Sequence, residues 1–442
     1  MRHISLHRHA VVAAALTASA MTLAAAPPAQ AEPAQTKLHS AFGVNATGTV
    51  EFWARSATSP VAELMVKQFN ATHKNLHVKL FLTTANEASS QLATALRAGT
   101  PPDLVGLNDI NVPAFAREGA LLNLTKYVNA LPYKSQLSPG HFKLAQLGNQ
   151  YYGVPYLADL SVLWYNTKLF REAHLNGPPT TFQQMLSDAK AITALGHGTY
   201  GFTFAGNCQG CLGFTMLPDI WASGQHLITG PLNDEHANIA HNAPLKALLT
   251  TYHDIWADRL VPPADRSQSG STWGDDFAKG NIGMAPEGYA LYPTLVKSKL
   301  PSSEYADAPL PGENGNYSTF DGGDDFVIPK GAKNPSGAWE FLTWVLQRKQ
   351  QQEYPSVGFT PVLVNAFTPA LLKKYPYDAV ALKALAHGSV EYTVAYNQVF
   401  NAPGSPWMRM FQEAVYAGNV AGALSAGQSA IQSTLTTAES VG

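Results

Sequence analysis

From about residue 48 the chain repeats short apolar strands and amphipathic helices, and that alternation leaves few architectures open. Strands joined by helices lie parallel, because the crossover returns the chain to the edge it left. Val50 to Trp53 (VEFW) reads as the first strand, followed by Ser59 as a cap and Pro60 at the first helical position. Val61, Leu64, Met65 and Phe69 then share one helical face. Leu76 to Leu82 (LHVKLFL) is a second strand, and SSQLATALRAG a helix stopped by Gly99. Asp103 to Leu107 (DLVGL) is a third strand, with a helix ending near Gly119. Ligands of open α/β sheets sit at the carboxyl ends of the strands. The polar residues there are therefore candidates: Arg55 beside Trp53, then Asn86 and Glu87, then Asn108 and Asp109. As alternatives, Asn and Asp serve as turn and cap residues.

Size and composition narrow the class. At 442 residues the chain exceeds what one hydrophobic core supports, about 250 to 300, so two lobes are expected. Charged residues are 14% of the chain and hydrophobic ones 45%. That balance argues against a disordered, nucleic-acid-binding or highly charged protein. At the N-terminus, Arg2 and Arg8 precede an Ala-rich run from Ala10 to Ala26 and an Ala29-Gln30-Ala31 cleavage pattern. Residues 1–31 read as a secretory signal peptide, too weakly apolar for a membrane anchor. Its removal leaves 27 basic against 31 acidic residues, a charge near −4. No cysteine for lipid attachment lies nearby, so a soluble periplasmic or secreted protein is expected. The only cysteines, Cys208 and Cys211, form a C-x-x-C pair. In an exported chain a local disulfide is the first reading, free thiols the second and a metal the last.

The motif search turns up little chemistry. GHGTYG at 196–201 follows a helix and precedes a strand, the reverse of a dinucleotide site, and reads as a helix stop. No phosphate-loop, zinc-protease or nucleophile-elbow motif occurs, and His236 and His241 lack metal spacing. Adjacent residues of an extended chain point to opposite sides, so neither doublet, Asp275-Asp276 or Asp324-Asp325, is by itself a glycosidase pair, and Asp275-Asp276 reads as the start of a short helix. Asp324, after Gly322-Gly323, is the better ligand candidate, with Gly323 giving backbone access. Trp53, Trp221, Trp273, Tyr289, Tyr292 and Trp407 lie near element ends. Rings so placed suit the apolar faces of sugars, although most such rings are core. In YYGVPYLADLSVLWYN, residues 151–166, one strand-like run carries the carboxylate of Asp159 among apolar residues, where it needs a partner or water.

Segments spread over residues 50–365 resemble, in order, the extracellular solute-binding proteins of carbohydrate ABC importers, the group of maltose- and glycerol-3-phosphate-binding proteins. They include LRAGTPPDLVGLND, FAREGALLNLTKYV, the run from Tyr151 to Met185, FAKGNIGMAPEG, APLPG and FDGGDDFVIPKGAKNPSGAWEFLTWVL. The resemblance implies a type II two-lobed α/β fold, each lobe a β-sheet flanked by helices and joined by hinge strands. It divides the chain into 48–157 with 318–353 for the first lobe, and 161–312 with 356–442 for the second. It implies a non-enzymatic receptor without a cofactor, metal or nucleic acid, monomeric, that closes on a carbohydrate and delivers it to membrane permease subunits. Its ligand residues would be Asn108, Asp109, Asp159, Phe214, Tyr289 and the region of Trp407 and Arg409. Phe214 lacks the hydroxyl of the stacking tyrosine found in maltose-binding relatives, and the C-x-x-C beside it is not a family feature. Two alternatives remain: an anionic ligand such as a glycerophosphodiester, met by Arg55 and Arg409, or a secreted glycan hydrolase or lyase using Asp159 and Asp324.

Overall fold

The computed structural model describes residues 42, 45–84, 87–270 and 272–440. The signal-peptide reading and Asn86 lie outside them. Among the described residues no helix is long and apolar enough to cross a membrane.

Two sheets organise the chain. The first has five strands in the order Leu76–Thr83, Gly48–Arg55, Leu104–Asn108, Gly322–Val327, Gly153–Asp159. Its first three strands are parallel, as the helical crossovers require, and the strand Gly322–Val327 is antiparallel to both neighbours. The second sheet has four strands in the order Tyr305–Ala308, Ser161–Asn166, Ile282–Gly288, Tyr200–Phe202.

The run 151–166 is therefore not one strand. It breaks at Leu160, giving its first half to one sheet and its second half to the other. Alternation along the second half sorts the side chains: Val162 and Trp164 enter one hydrophobic cluster, Leu163 the other. Two further segments cross at the same place. Thr319 Oγ1 donates to the Ser161 carbonyl at 2.8 Å, and Phe320 N to Ser161 Oγ at 3.0 Å. The third crossing pairs Ala158 N with the Thr360 carbonyl at 3.3 Å. Three chain crossings side by side make a hinge between two lobes.

Local chemistry sets the helices. The Asn334-Pro335 entry holds: the Asn334 side chain accepts from Gly337 N at 3.0 Å and caps the helix Pro335–Val345. Asn166 likewise caps Thr167–Glu172 through the N–H groups of Lys168 and Leu169, both at 3.0 Å. The glycines of GHGTYG turn the chain, with Gly196 and Gly198 at φ +75°. Cys208 and Cys211 are bonded across the first turn of the helix Gln209–Ala222.

Gly323 is the tightest backbone position at the hinge. Its φ is +153°, and a methyl group there would sit 2.0 Å from the Leu157 carbonyl oxygen of the neighbouring crossing strand. Gly323→Ala should therefore destabilise the protein by on the order of 3 kcal/mol or more in urea unfolding. An unchanged midpoint would mean that the two strands separate at little cost.

Candidate functional site

The carboxyl ends of the strands Gly48–Arg55, Leu104–Asn108 and Gly153–Asp159, with the start of Gly322–Val327, share one edge of the first sheet. Arg55, Asn108, Asp159 and Asp324 meet there. Asp324 is fully buried and grips Arg55 in a fork: Nε donates to its two oxygens at 3.0 and 3.1 Å, and Nη2 to Oδ1 at 2.5 Å. Burial works against the charge of Arg55, but Asp324 outweighs it and holds the guanidinium protonated. Asn108 lies directly across from Asp324 in register, so their side chains leave the sheet on the same face. Its Oδ1 is buried without a hydrogen-bond partner among the described residues.

Asp159 answers the question that its sequence position raises. It ends its strand at the hinge, is partly exposed, and accepts no hydrogen bond from any other described residue. Burial pushes it up to about 6, opposed by Arg55 and reinforced by Asp324. Across the hinge it faces Gly288, which ends a strand of the second sheet. A methyl group at Gly288 would come within 3.0 Å of Asp159 Oδ1 and 3.1 Å of the Phe214 ring. Glycine here is what lets carboxylate and ring converge. Phe214 packs against Phe320, with centroids 5.5 Å apart, and Phe320 against Trp221 at 5.7 Å.

Beneath this surface lies a second, wholly buried polar layer. Asp109 is 1% exposed; its Oδ1 accepts from Ile110 N at 2.7 Å and its Oδ2 from Gly323 N at 2.8 Å. His141 Nε2 stands 3.4 Å from Asp109 and 3.1 Å from Asp325. Asp321 accepts from Ser138 and also acts on His141. Burial alone would favour neutral imidazole, but Asp325, Asp109 and Asp321 together push His141 up to about 9. The alternation expected of Asp324-Asp325 holds: the first faces Arg55, the second His141.

Several candidates are placed elsewhere. Asp109 and Gly323 adjoin the site but spend their polar groups on each other, so they shape the floor instead of facing a ligand. Trp221 is 7% exposed, and its Nε1 donates to Glu391 at 2.9 Å, which makes it backing for Phe320. Tyr289 is buried, with its hydroxyl 2.5 Å from Asp307 and 2.9 Å from the Tyr377 carbonyl, because the chain turns inward after Gly288. Trp407 is core, wholly buried 5.9 Å from the Phe400 ring. Arg409 lies on the surface and donates to the Gly404 carbonyl. It lines a groove of about 610 Å³ between the last two helices, Pro406–Val415 and Val420–Ser440, remote from this constellation in the sequence and in its contacts. Trp53 donates to Glu51 on the flank of the first sheet, and exposed Glu87 accepts from Thr84. Nearness to the end of an element does not fix which way these side chains point.

Sequence reasoning missed Phe320, His141 and Glu287. Glu287 immediately precedes Gly288; burial, then Asp159 and Asp275, hold it well above the usual carboxylate range, and its Oε2 has no hydrogen-bond partner among the described residues. The only sequence signal for it was its place in GMAPEG. His141 had none.

A family model described as bacterial extracellular solute-binding protein matches residues 55–352. The chain belongs to this family. Among relatives of the solute-binding protein are the diacetylchitobiose binding protein DasA of Streptomyces coelicolor and the multiple sugar-binding protein of Streptococcus mutans. The first is 26% identical over 69% of this chain and 70% of its own. The second is 24% identical over 72% and 75%. Its fold matches the sugar-binding protein MalE of Xanthomonas citri with a TM-score of 0.77 at 21% identity, over 89% of this chain and 99% of that one. The GacH receptor of Streptomyces glaucescens matches with 0.76 at 18% identity, over 88% and 99%. These likenesses establish the two-lobed fold, and the family makes the protein a solute-binding receptor.

His141 supplies a pH signature. Its folded value, about 9, lies above the ordinary 6.5, so its contribution to stability is complete below pH 6.5 and is lost as pH rises through 9. Melting temperature should fall between pH 7 and 9.5 for the native chain. His141→Ala should be less stable by about 3–5 kcal/mol at pH 6, because carboxylates lose their buried partner. Equal stability of the two proteins at pH 6 would contradict the ionised arrangement.

Proposed function

We propose that this solute-binding protein is the receptor of an ABC importer for a neutral carbohydrate, which it holds between its lobes and delivers to membrane permease subunits. The observation that carries the reading is Asp159: a carboxylate at the hinge with no hydrogen-bond partner among the described residues, beside the Phe214 ring and the Arg55 guanidinium. Ionised Asp159 accepts hydroxyl hydrogens, an N–H of Arg55 left free by Asp324 donates to hydroxyl oxygen, and the ring covers an apolar sugar face. The names of the relatives, which include binding proteins for diacetylchitobiose and multiple sugars, support the same class. Hinge closure at the three crossings would bring the Phe214 side against the Arg55 side.

A neutral ligand fits better than an anionic one. Arg55 is already engaged by Asp324, Arg409 is on the surface, and unpartnered Asp159 would repel a phosphate. The family, described as one of extracellular solute-binding proteins, favours a receptor over a hydrolase.

Thermal melting against mono-, di- and oligosaccharides and polyols tests the proposal. At least one should stabilise the protein, by about 2.7 kcal/mol at a hundredfold excess over its Kd. Asp159→Ala should weaken that ligand by about 1.5–3 kcal/mol. Affinity should also fall as pH drops through about 6, where Asp159 takes up a proton and ceases to be a full acceptor. No shift with any sugar would defeat the carbohydrate assignment.

A further inference from the structure

A ligand held between two lobes is gripped from both, yet the polar groups assembled at Asp159 and Arg55 all belong to the first sheet, and the second lobe has so far supplied only the Phe214 ring. Two polar groups of the second lobe lie next to this place unspent. Glu287 is the last residue but one of the strand Ile282–Gly288 and pairs with Val162, where Gly288 pairs with Ser161 at the hinge. Side chains alternate along a strand, so Glu287 leaves on the side opposite the gap at Gly288 in which Asp159 and Phe214 meet. The residue is partly exposed, but its Oε2 is buried against Gly274, whose φ is +75° and where a methyl group would sit 2.2 Å from that oxygen. Next along the chain stands Trp273, half-buried, with its Nε1 buried and without a hydrogen-bond partner among the described residues. Its turn is fixed: Trp273 N donates to the Gly270 carbonyl at 3.4 Å, and Gln268 Nε2 to Thr272 Oγ1 at 3.0 Å.

A buried indole N–H and a buried carboxyl oxygen without partners each cost free energy that a partner restores. Both stand beside the end of the strand that meets Asp159, and one glycine, Gly274, brings the Trp273 turn against the Glu287 carboxyl. We propose that Glu287 and Trp273 form the second-lobe edge of the ligand site, giving hydrogen bonds to oxygen atoms of the bound carbohydrate and selecting among sugars by where those oxygens lie. The inference rests on the carbohydrate reading and names the second-lobe residues that would hold the ligand. Asp159 then serves as the acceptor from one lobe and the Trp273 indole as a donor from the other. A site that donates to a particular oxygen discriminates strongly against a sugar lacking it, because the donor is then left buried and unpaired.

Protonation gives Glu287 its part. Burial, then Asp159 and Asp275, hold it well above the usual carboxylate range, so at neutral pH it carries an O–H and donates where a carboxylate only accepts. The charged groups that bear on it are acids, Asp159 across the hinge and Asp275 at the start of the helix Asp275–Ala278. The nearby cations are engaged elsewhere, Arg55 by Asp324 and Lys279 by Asp276. Asp159, pushed up only to about 6, is ionised at the same pH. Raising the pH until Glu287 ionises removes its donor and sets a second negative charge near Asp159, so affinity falls on the alkaline side. Below about 6 it falls for the separate reason that Asp159 takes up a proton.

Calorimetric titration of the full mature protein with maltose, mannobiose and diacetylchitobiose, each over a series of pH values, tests this. For a disaccharide that binds, Glu287→Leu should raise the Kd about tenfold or more at neutral pH, and Trp273→Phe, which keeps a ring but loses the N–H, about fivefold or more. Glu287→Gln keeps a donor, so its Kd should stay within about threefold of the native value, with the alkaline fall gone and the acid fall kept. If Glu287→Leu fails to fold, the near-isosteric Gln and Phe variants decide. Native Kd values in both Glu287→Leu and Trp273→Phe would make these residues structural and overturn the inference while leaving the carbohydrate reading in place. An alkaline fall that persists in Glu287→Gln would overturn the donor role of Glu287. Failure of all three sugars to bind the native chain would overturn the inference together with the reading on which it rests.

Discussion

Four carboxylates, those of Asp109, Asp321, Asp324 and Asp325, are nearly or wholly buried at one edge of the first sheet, and two cationic groups answer them. Arg55 takes Asp324 on the face towards the hinge, while His141 takes Asp325 and Asp109 beneath. Left unpaired, each charge would cost several kcal/mol. The position of the return strand Gly322–Val327, and with it the crossing of the chain between lobes, depends on this compensation. Asp109 completes it by accepting from Gly323 N, at the residue where backbone packs directly on backbone.

That arrangement explains why Asp159 is available. Arg55 lies close enough to lower its proton affinity but spends its fork on Asp324, so the Asp159 carboxylate has no hydrogen-bond partner among the described residues. A fixed ion pair behind a carboxylate without a partner among the described residues is a preorganised polar surface. Gly288 contributes by omission, since any side chain there would occupy the space where the carboxylate and the Phe214 ring come together.

The hinge combines two kinds of connection. Backbone and hydroxyl hydrogen bonds at Ser161, Thr319 and Thr360 hold the crossings side by side, and a change of a few dihedral angles there can move a whole lobe.

The sequence by itself determined the strand and helix alternation, the helix entry at Asn334-Pro335, the turn at GHGTYG and the family, because each depends on local periodicity, capping or ordered motifs. It also singled out Asp159, since a lone carboxylate in an apolar run is anomalous wherever it folds. Only the tertiary structure decided that residues 151–166 divide between two sheets: Leu160 is as apolar as its neighbours, and the break comes from which strands pair. Nor could spacing separate Asp159, left open, from Asp109, consumed by Gly323, or reveal that Tyr289 and Trp407 turn into the core. His141 was illegible for the same reason. Its charge arises from three carboxylates brought together from distant parts of the chain, and no local pattern encodes that meeting.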